Sequence, residues 1–294
     1  MKKITVRVKG GIGNQLFCYA AAKRLALINH AELVIDNYTG FARDHEYNRI
    51  YMLDHFKILN RKANKFELKW PFERYWLTIF KIISKKKPFQ NRIYLEQEFM
   101  DFDYRLLSLK VNKTIYLDGY WQSELYFKDI EHIIREDLTI FPPNDSFNLK
   151  LADEISKKNS VAIHVRWFDN PGSLISHNAS HNYYKRAIEI MEQRLKTPHY
   201  YIFSDKPSEA KTILNIPEER LTLISHNIGD KNSYIDLWLM TKCKHFIIAN
   251  STFSWWGAWL GKEENKIVLS PNLKIEGKTA WGFKGLIPSK WEVI

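Results

Sequence analysis

The chain is poor in the features that would place it in a specialised class. It has two cysteines in 294 residues, Cys18 and Cys243. That is too few for a disulfide framework, and both sit in apolar or helical contexts that suit buried thiols and a reducing compartment. No apolar run approaches the roughly 20 residues of a membrane-spanning helix. The opening Met1-Lys2-Lys3-Ile4-Thr5-Val6-Arg7-Val8-Lys9 lacks the apolar core of a signal peptide and is expected to be a first strand with Ile4, Val6 and Val8 inward. The expectation is therefore a cytoplasmic protein. No His/Cys cluster has zinc spacing, and there is no P-loop, G-x-S-x-G or nucleic-acid reader motif. Internal repeats and low-complexity tracts are also missing.

What is present is a globular composition, 45% hydrophobic and 26% charged, long enough for two domains. The net charge of +11 is uneven. From Lys57 to Lys87 ten Lys/Arg face Glu67 and Glu73 alone, giving 10 − 2 = +8. Within that region Phe72, Tyr75, Trp76, Ile79, Phe80 and Ile83 recur at helical spacing. Two readings stay open. One is a helix lying on an anionic membrane, and the other is a surface helix packing its stripe on the core.

Strand–helix alternation on both sides of Phe141-Pro142-Pro143-Asn144 predicts two parallel-sheet α/β domains, 1–143 and 144–294. In the first, strand 4–9 leads through Gly10-Gly11-Ile12-Gly13-Asn14-Gln15 into a helix over about 16–29, and a strand over 32–35 ends at Asp36. A further helix is expected from about 124 to 137. In the second, strands are expected at 160–165, 199–203, 221–224 and 245–249.

Four segments carry candidate chemistry. Gly11 and Gly13 let backbone approach a ligand, and Asn14 and Gln15 offer amides beyond the needs of a turn. With Asp36 they mimic a dinucleotide fingerprint, but the third glycine position holds Leu16. His164 and Arg166 fall on one face at a strand's carboxyl end, followed by Asp169. Ligands bind there in α/β folds, and an arginine there can neutralise a diphosphate. Ser204 and Asp205 form another polar strand end, which a helix cap would explain equally well. In the fourth, Asn250, Ser251, Thr252, Phe253 and Ser254 run into Trp255-Trp256-Gly257-Ala258-Trp259. Hydroxyls at a helix N-terminus suit phosphate, and tryptophans suit a sugar face. Asp101-Phe102-Asp103 has a metal-binding form but follows no clean strand and is discounted.

Gly10-Gly11-Ile12-Gly13-Asn14-Gln15-Leu16-Phe17, His164-Val165-Arg166, Phe203-Ser204-Asp205 and Ala249 to Leu260 together resemble the α-1,2-fucosyltransferases of glycosyltransferase family 11. Gly119-Tyr120-Trp121-Gln122-Ser123-Glu124, Tyr183-Tyr184 and Asp236-Leu237 fit the same pattern. The resemblance implies a GT-B-like pair of Rossmann-like domains facing a cleft, with an N-terminal acceptor-side domain and a C-terminal GDP-sugar domain. It implies inverting transfer of L-fucose from GDP-fucose to the 2-hydroxyl of a galactoside in surface-glycan synthesis, with neither metal nor cofactor. By analogy His164 and Arg166 hold GDP, Asp236 reads guanine or ribose, and Ser251, Thr252 and Ser254 line the phosphates. Gly11, Asn14 and Gln15 face the fucose and acceptor side, and Asp169 is a candidate base. Trp167 and Lys206 depart from the family pattern, which puts the donor in question. The alternatives are a transferase using another GDP-sugar, an NAD(P)-dependent oxidoreductase using the glycine turn, and a carbohydrate-binding module built on the tryptophans.

Overall fold

The computed structural model describes residues 2–69, 71–169, 177–277 and 280–294. The chain divides into two units, Met1–Thr139 with Lys284–Leu286, and Ile140–Phe283 with Ile287–Ile294.

The first unit runs β1 (Lys3–Arg7), α1 (Ile12–Ile28), β2 (Glu32–Asp36), α2 (Glu73–Lys85), β3 (Tyr94–Glu96), α3 (Tyr104–Leu107), β4 (Ile115–Asp118) and α4 (Glu131–Asp137). Its four strands are parallel in the order β2-β1-β4-β3. Ile4, Val6 and Val8 are all fully buried. The strand stops at Arg7, before Gly10 takes a φ of +75° that ordinary residues avoid. Helix α1 starts at Ile12, earlier than expected, so Gly13, Asn14 and Gln15 form its first turn. The helix expected over 124–137 is broken, with short 3-10 turns at Glu124–Tyr126 and Lys128–Ile130 preceding α4.

The second unit runs α5 (Ser146–Lys157), β5 (Ser160–Val165), α6 (His181–Arg194), β6 (His199–Ser204), α7 (Pro207–Leu214), β7 (Leu221–Ile224), α8 (Ser233–Met240), β8 (His245–Ile247), α9 (Thr252–Leu260), β9 (Val268–Ser270) and β10 (Glu292–Val293). Its sheet is parallel throughout, in the order β10-β9-β8-β5-β6-β7. All six residues of β5 are buried, as expected of a central strand covered by helices on both faces. Ala187 and Met191 of α6, Ala210 of α7 and Tyr200 of β6 join that core.

Helix α2 forms where the apolar periodicity predicts it, but the stripe does not pack inward. Phe72, Tyr75, Trp76, Ile79 and Ile83 are exposed, and Ser84 is the helix's only buried residue. Both cysteines are buried free thiols. Asp103 caps α3 and Asp101 accepts from the Lys284 N–H, so both acids of the D-x-D segment are used structurally.

At the end of β4, buried Asp118 accepts from Lys9 Nζ at 2.6 Å, Arg7 at 3.1 Å and the Tyr94 hydroxyl at 2.5 Å. Burial alone would raise its pKa, but Lys9 and Arg7 outweigh it and hold the carboxyl below the ordinary aspartate range. Removing it would leave two partly buried cations unpaired. Asp118→Ala is therefore expected to cost about 3 kcal/mol in urea unfolding of the first unit, against less than about 0.5 kcal/mol for the exposed-pair change Lys157→Ala.

Candidate functional site

Three segment ends of the second unit are joined by polar bonds. Strand β5 carries His164, buried, with Nδ1 2.9 Å from the Ser254 hydroxyl in the first turn of α9. The Phe253 ring lies 5.3 Å from the imidazole. Burial, reinforced by the Arg166 charge, lowers the His164 pKa to about 3, so the ring is neutral at physiological pH. The Tyr184 hydroxyl of α6 donates to the His164 carbonyl at 2.9 Å and fixes the strand end.

Arg166, just past β5, pairs with Asp205, just past β6, at 2.8 Å. Asp205 also accepts from the Trp167 N–H at 3.1 Å, and the Arg166 guanidinium lies over the Phe168 ring. The arginine side chain keeps 28% of its surface exposed, enough to meet an anion from solvent. Ser204 accepts from the Lys206 N–H at 3.1 Å, within the turn that leads to α7.

Asp169 does not pair with Arg166. It accepts from His177, from the backbone N–H at 2.6 Å and with Nδ1 at 2.9 Å, and these bonds lower its pKa. Asn178 braces the same loop through Phe168 and Asp169. Asn250, buried, donates to the His177 carbonyl at 2.8 Å. Its Oδ1 is buried with no partner among the described residues. Ser251 caps α9 by accepting from the Phe253 N–H, and Ser254 donates to the Ser251 carbonyl at 3.3 Å. Thr252 opens the helix. Beneath this turn Gly257 faces Met240 of α8, where a Cβ would lie 2.2 Å from the sulfur, so α9 is held tight against α8. His177 and Asn178 were not singled out by the sequence, because a polar loop residue has no spacing signature.

Asp236 sits in the first turn of α8 and accepts from Asn227 at 2.8 Å, within a network that includes Asn148 and His226. Burial pushes its pKa up to about 7 against the smaller opposing bond from Asn227. Gly11, Gly13, Asn14 and Gln15 belong to the first unit. Gly11 is the N-cap of α1, where an added Cβ would meet the Arg49 guanidinium at 3.9 Å, and Gly13 is buried in the helix. Asn14 accepts from Gln122 at 2.8 Å. The Gln15 side chain, expected to face a ligand, is used within the turn. The side chain is fully buried, donates to the Gly10 and Ile50 carbonyls and accepts from the Met52 N–H, each at 2.8 Å. It braces the turn. Asp36 is likewise consumed by the Tyr38 and Thr39 N–H groups and by the Thr39 and Tyr116 hydroxyls, leaving it poorly placed for a ribose. No group of three metal-ligating side chains occurs among the described residues.

The chain matches the model of the family described as Glycosyl transferase family 11 over residues 3–280. It is 28% identical to an alpha-1,2-colitosyltransferase of Escherichia coli, covering 99% of this chain and 98% of that one. It is 32% identical to the O-antigen biosynthesis glycosyltransferase WbnK of Escherichia coli, covering 90% and 92%. Among solved structures it resembles NodZ alpha-1,6-fucosyltransferase of Bradyrhizobium soaked with GDP-fucose, with a TM-score of 0.51, 13% identity and coverage of 88% and 92%. FUT1 of Arabidopsis thaliana in complex with GDP gives a TM-score of 0.55 at 13% identity, covering 95% and 71%. At that identity the likeness is one of fold, and the fold is GT-B-like with two parallel-sheet α/β units.

Folded Asp236 keeps its proton up to about pH 7, whereas the unfolded chain releases it near its ordinary pKa of about 3.9. Stability from this group is therefore present at low pH and lost as pH rises through that window. Asp236→Asn is expected to unfold at least about 3 °C above the parent at pH 8 and to converge with it near pH 4, read by thermal melts across pH.

Proposed function

The chain belongs to glycosyltransferase family 11, and from that membership we propose that it transfers L-fucose from GDP-fucose to the 2-hydroxyl of a galactoside, with inversion, in O-antigen synthesis. The observation that carries this reading is the joined ends of β5, β6 and α9. They place a partly exposed guanidinium, a neutral imidazole and a hydroxyl-capped helix start within one polar cluster.

In this reading the acceptor oxygen forms a bond to C1 of the sugar as the bond from C1 to the β-phosphate oxygen breaks. The acceptor proton leaves to a base, and the electron pair departs with GDP. Arg166 meets the negative charge that grows on the β-phosphate, moving from Asp205 or sharing with it. His164 contributes no charge. It holds Ser254, and with it the first turn of α9, whose dipole favours the phosphate end. Asp169, held by His177, is assigned the acceptor proton. Asp236 takes the guanine or ribose, and Asn14 with the Gly11 turn is assigned the acceptor side. No metal or cofactor takes part.

The donor sugar is the less constrained part. Trp167 and Lys206 stand where the family pattern differs, and one relative is named for colitose transfer. Colitose is fucose without its 3-hydroxyl, so GDP-colitose is the second donor to compare.

GDP and GDP-fucose are expected to raise the thermal midpoint in the presence of EDTA, and UDP and NADH to leave it unchanged. Stabilisation by NADH or UDP alone would sink the donor assignment. Arg166→Ala is expected to lower kcat by about 10²- to 10³-fold while keeping the parent melting behaviour, with Arg166→Lys between the two. Turnover near the parent rate in Arg166→Ala would remove that residue from the reaction. A higher kcat/KM for GDP-colitose than for GDP-fucose would keep the mechanism and change the donor.

A further inference from the structure

Helix α2 has its amphipathicity turned outward. At 3.6 residues per turn, Phe72, Tyr75, Trp76, Ile79, Ile82 and Ile83 fall in one sector about 120° wide. Their exposures run from 43% to 70%. The helix is held to its own unit by polar contacts. Ser84, buried on the opposite side, accepts from the Tyr94 N–H at 2.9 Å, and Lys81 and Lys85 both pair with Glu96 at the end of β3. An apolar sector of this size facing water marks an interaction surface.

The charge around it selects the partner. Arg74 lies outside one edge of the apolar sector, and Lys86 and Lys87 follow at the helix end, all exposed. Glu73 is the helix's only acid. Two copies of this face brought together would set cation against cation. An acidic lipid surface satisfies both halves, since rings and isoleucines enter the headgroup boundary while lysines meet phosphate. Trp76 and Tyr75 have the amphipathic rings that favour that depth. At 13 residues the helix is too short to span a bilayer, and no described helix is long and apolar enough to do so.

We propose that α2 lies in the plane of an anionic membrane surface and docks the protein there, with its apolar sector in the headgroup boundary and Arg74, Lys86 and Lys87 on acidic lipid. The source of the negative charge is the bilayer itself rather than a free anion, because the apolar sector needs an apolar phase to enter.

The test is co-sedimentation of the full chain with vesicles of phosphatidylcholine alone or with about one-third phosphatidylglycerol. Two variants are compared with the parent, the pair Ile79→Glu with Ile83→Glu and the triple Arg74→Glu, Lys86→Glu, Lys87→Glu. The parent is expected to partition at least about tenfold better onto the anionic vesicles, and each variant to lose at least about tenfold of that binding. Because the changed side chains are exposed, circular dichroism and the thermal midpoint should match the parent. Absence of parent binding would overturn the proposal. So would unchanged binding of the isoleucine variant, which would mean simple adsorption of a basic protein. A parent dimer that the isoleucine variant converts to monomer would also overturn it, by giving the face to a second copy.

Discussion

The parallel register of β5 with its neighbours is the constraint on which the site depends. Val165 stands opposite Ser204, so the next residues of each strand, Arg166 and Asp205, emerge side by side and close to 2.8 Å. Ile163 stands opposite Ile247, which sets His164 near the turn that opens α9 and within 2.9 Å of Ser254. A slip of one residue would turn each of these side chains to the opposite face of the sheet and bury the guanidinium. The apolar strand interior thus fixes the polar chemistry at its end.

The two units use the same kind of position in opposite ways. In the first, the acids that end β2 and β4 are buried and saturated, Asp36 by two N–H groups and two hydroxyls, Asp118 by two cations and a phenol. In the second, the groups beyond β5 and β6 keep solvent contact and, among the described residues, have one or two partners each. A saturated carboxylate has nothing left to offer a ligand, whereas a half-satisfied guanidinium does. That difference separates the glycine turn from the β5–β6–α9 ends more sharply than either motif does alone.

Much of this was legible in the sequence. The six residues of β5 were readable because a central strand must be apolar along its whole length, and the start of α9 because hydroxyls precede a tryptophan-rich run. Family resemblance along the chain led to the same residues. Other features were not readable, for physical reasons. The buried role of Gln15 depends on Ile50 and Met52, which are distant in sequence, and an amide at a loop tip looks the same whether it braces or binds. His177 reaches Asp169 and Asn250 only through loop geometry. The periodicity of α2 identified a helix but could not say which side its unit would cover, since that depends on where Ser84 and Glu96 fall.

One more consequence follows from the way the segment after β2 is pinned. Its start is tied to Asp36 through Tyr38 and Thr39, and Gly40 lies so close to the Val8 carbonyl that a Cβ would sit 2.0 Å from the oxygen. Its end is tied by Gln15 at Ile50 and Met52. Between these anchors, 42–48 is mostly exposed and folded locally around Asp44. The stretch is therefore a loop clamped at both ends, with its solvent-facing part in the middle. Length changes are best accommodated at its exposed middle, 45–48, since both ends carry the bonds that hold β1, β2 and the entrance to α1 in place.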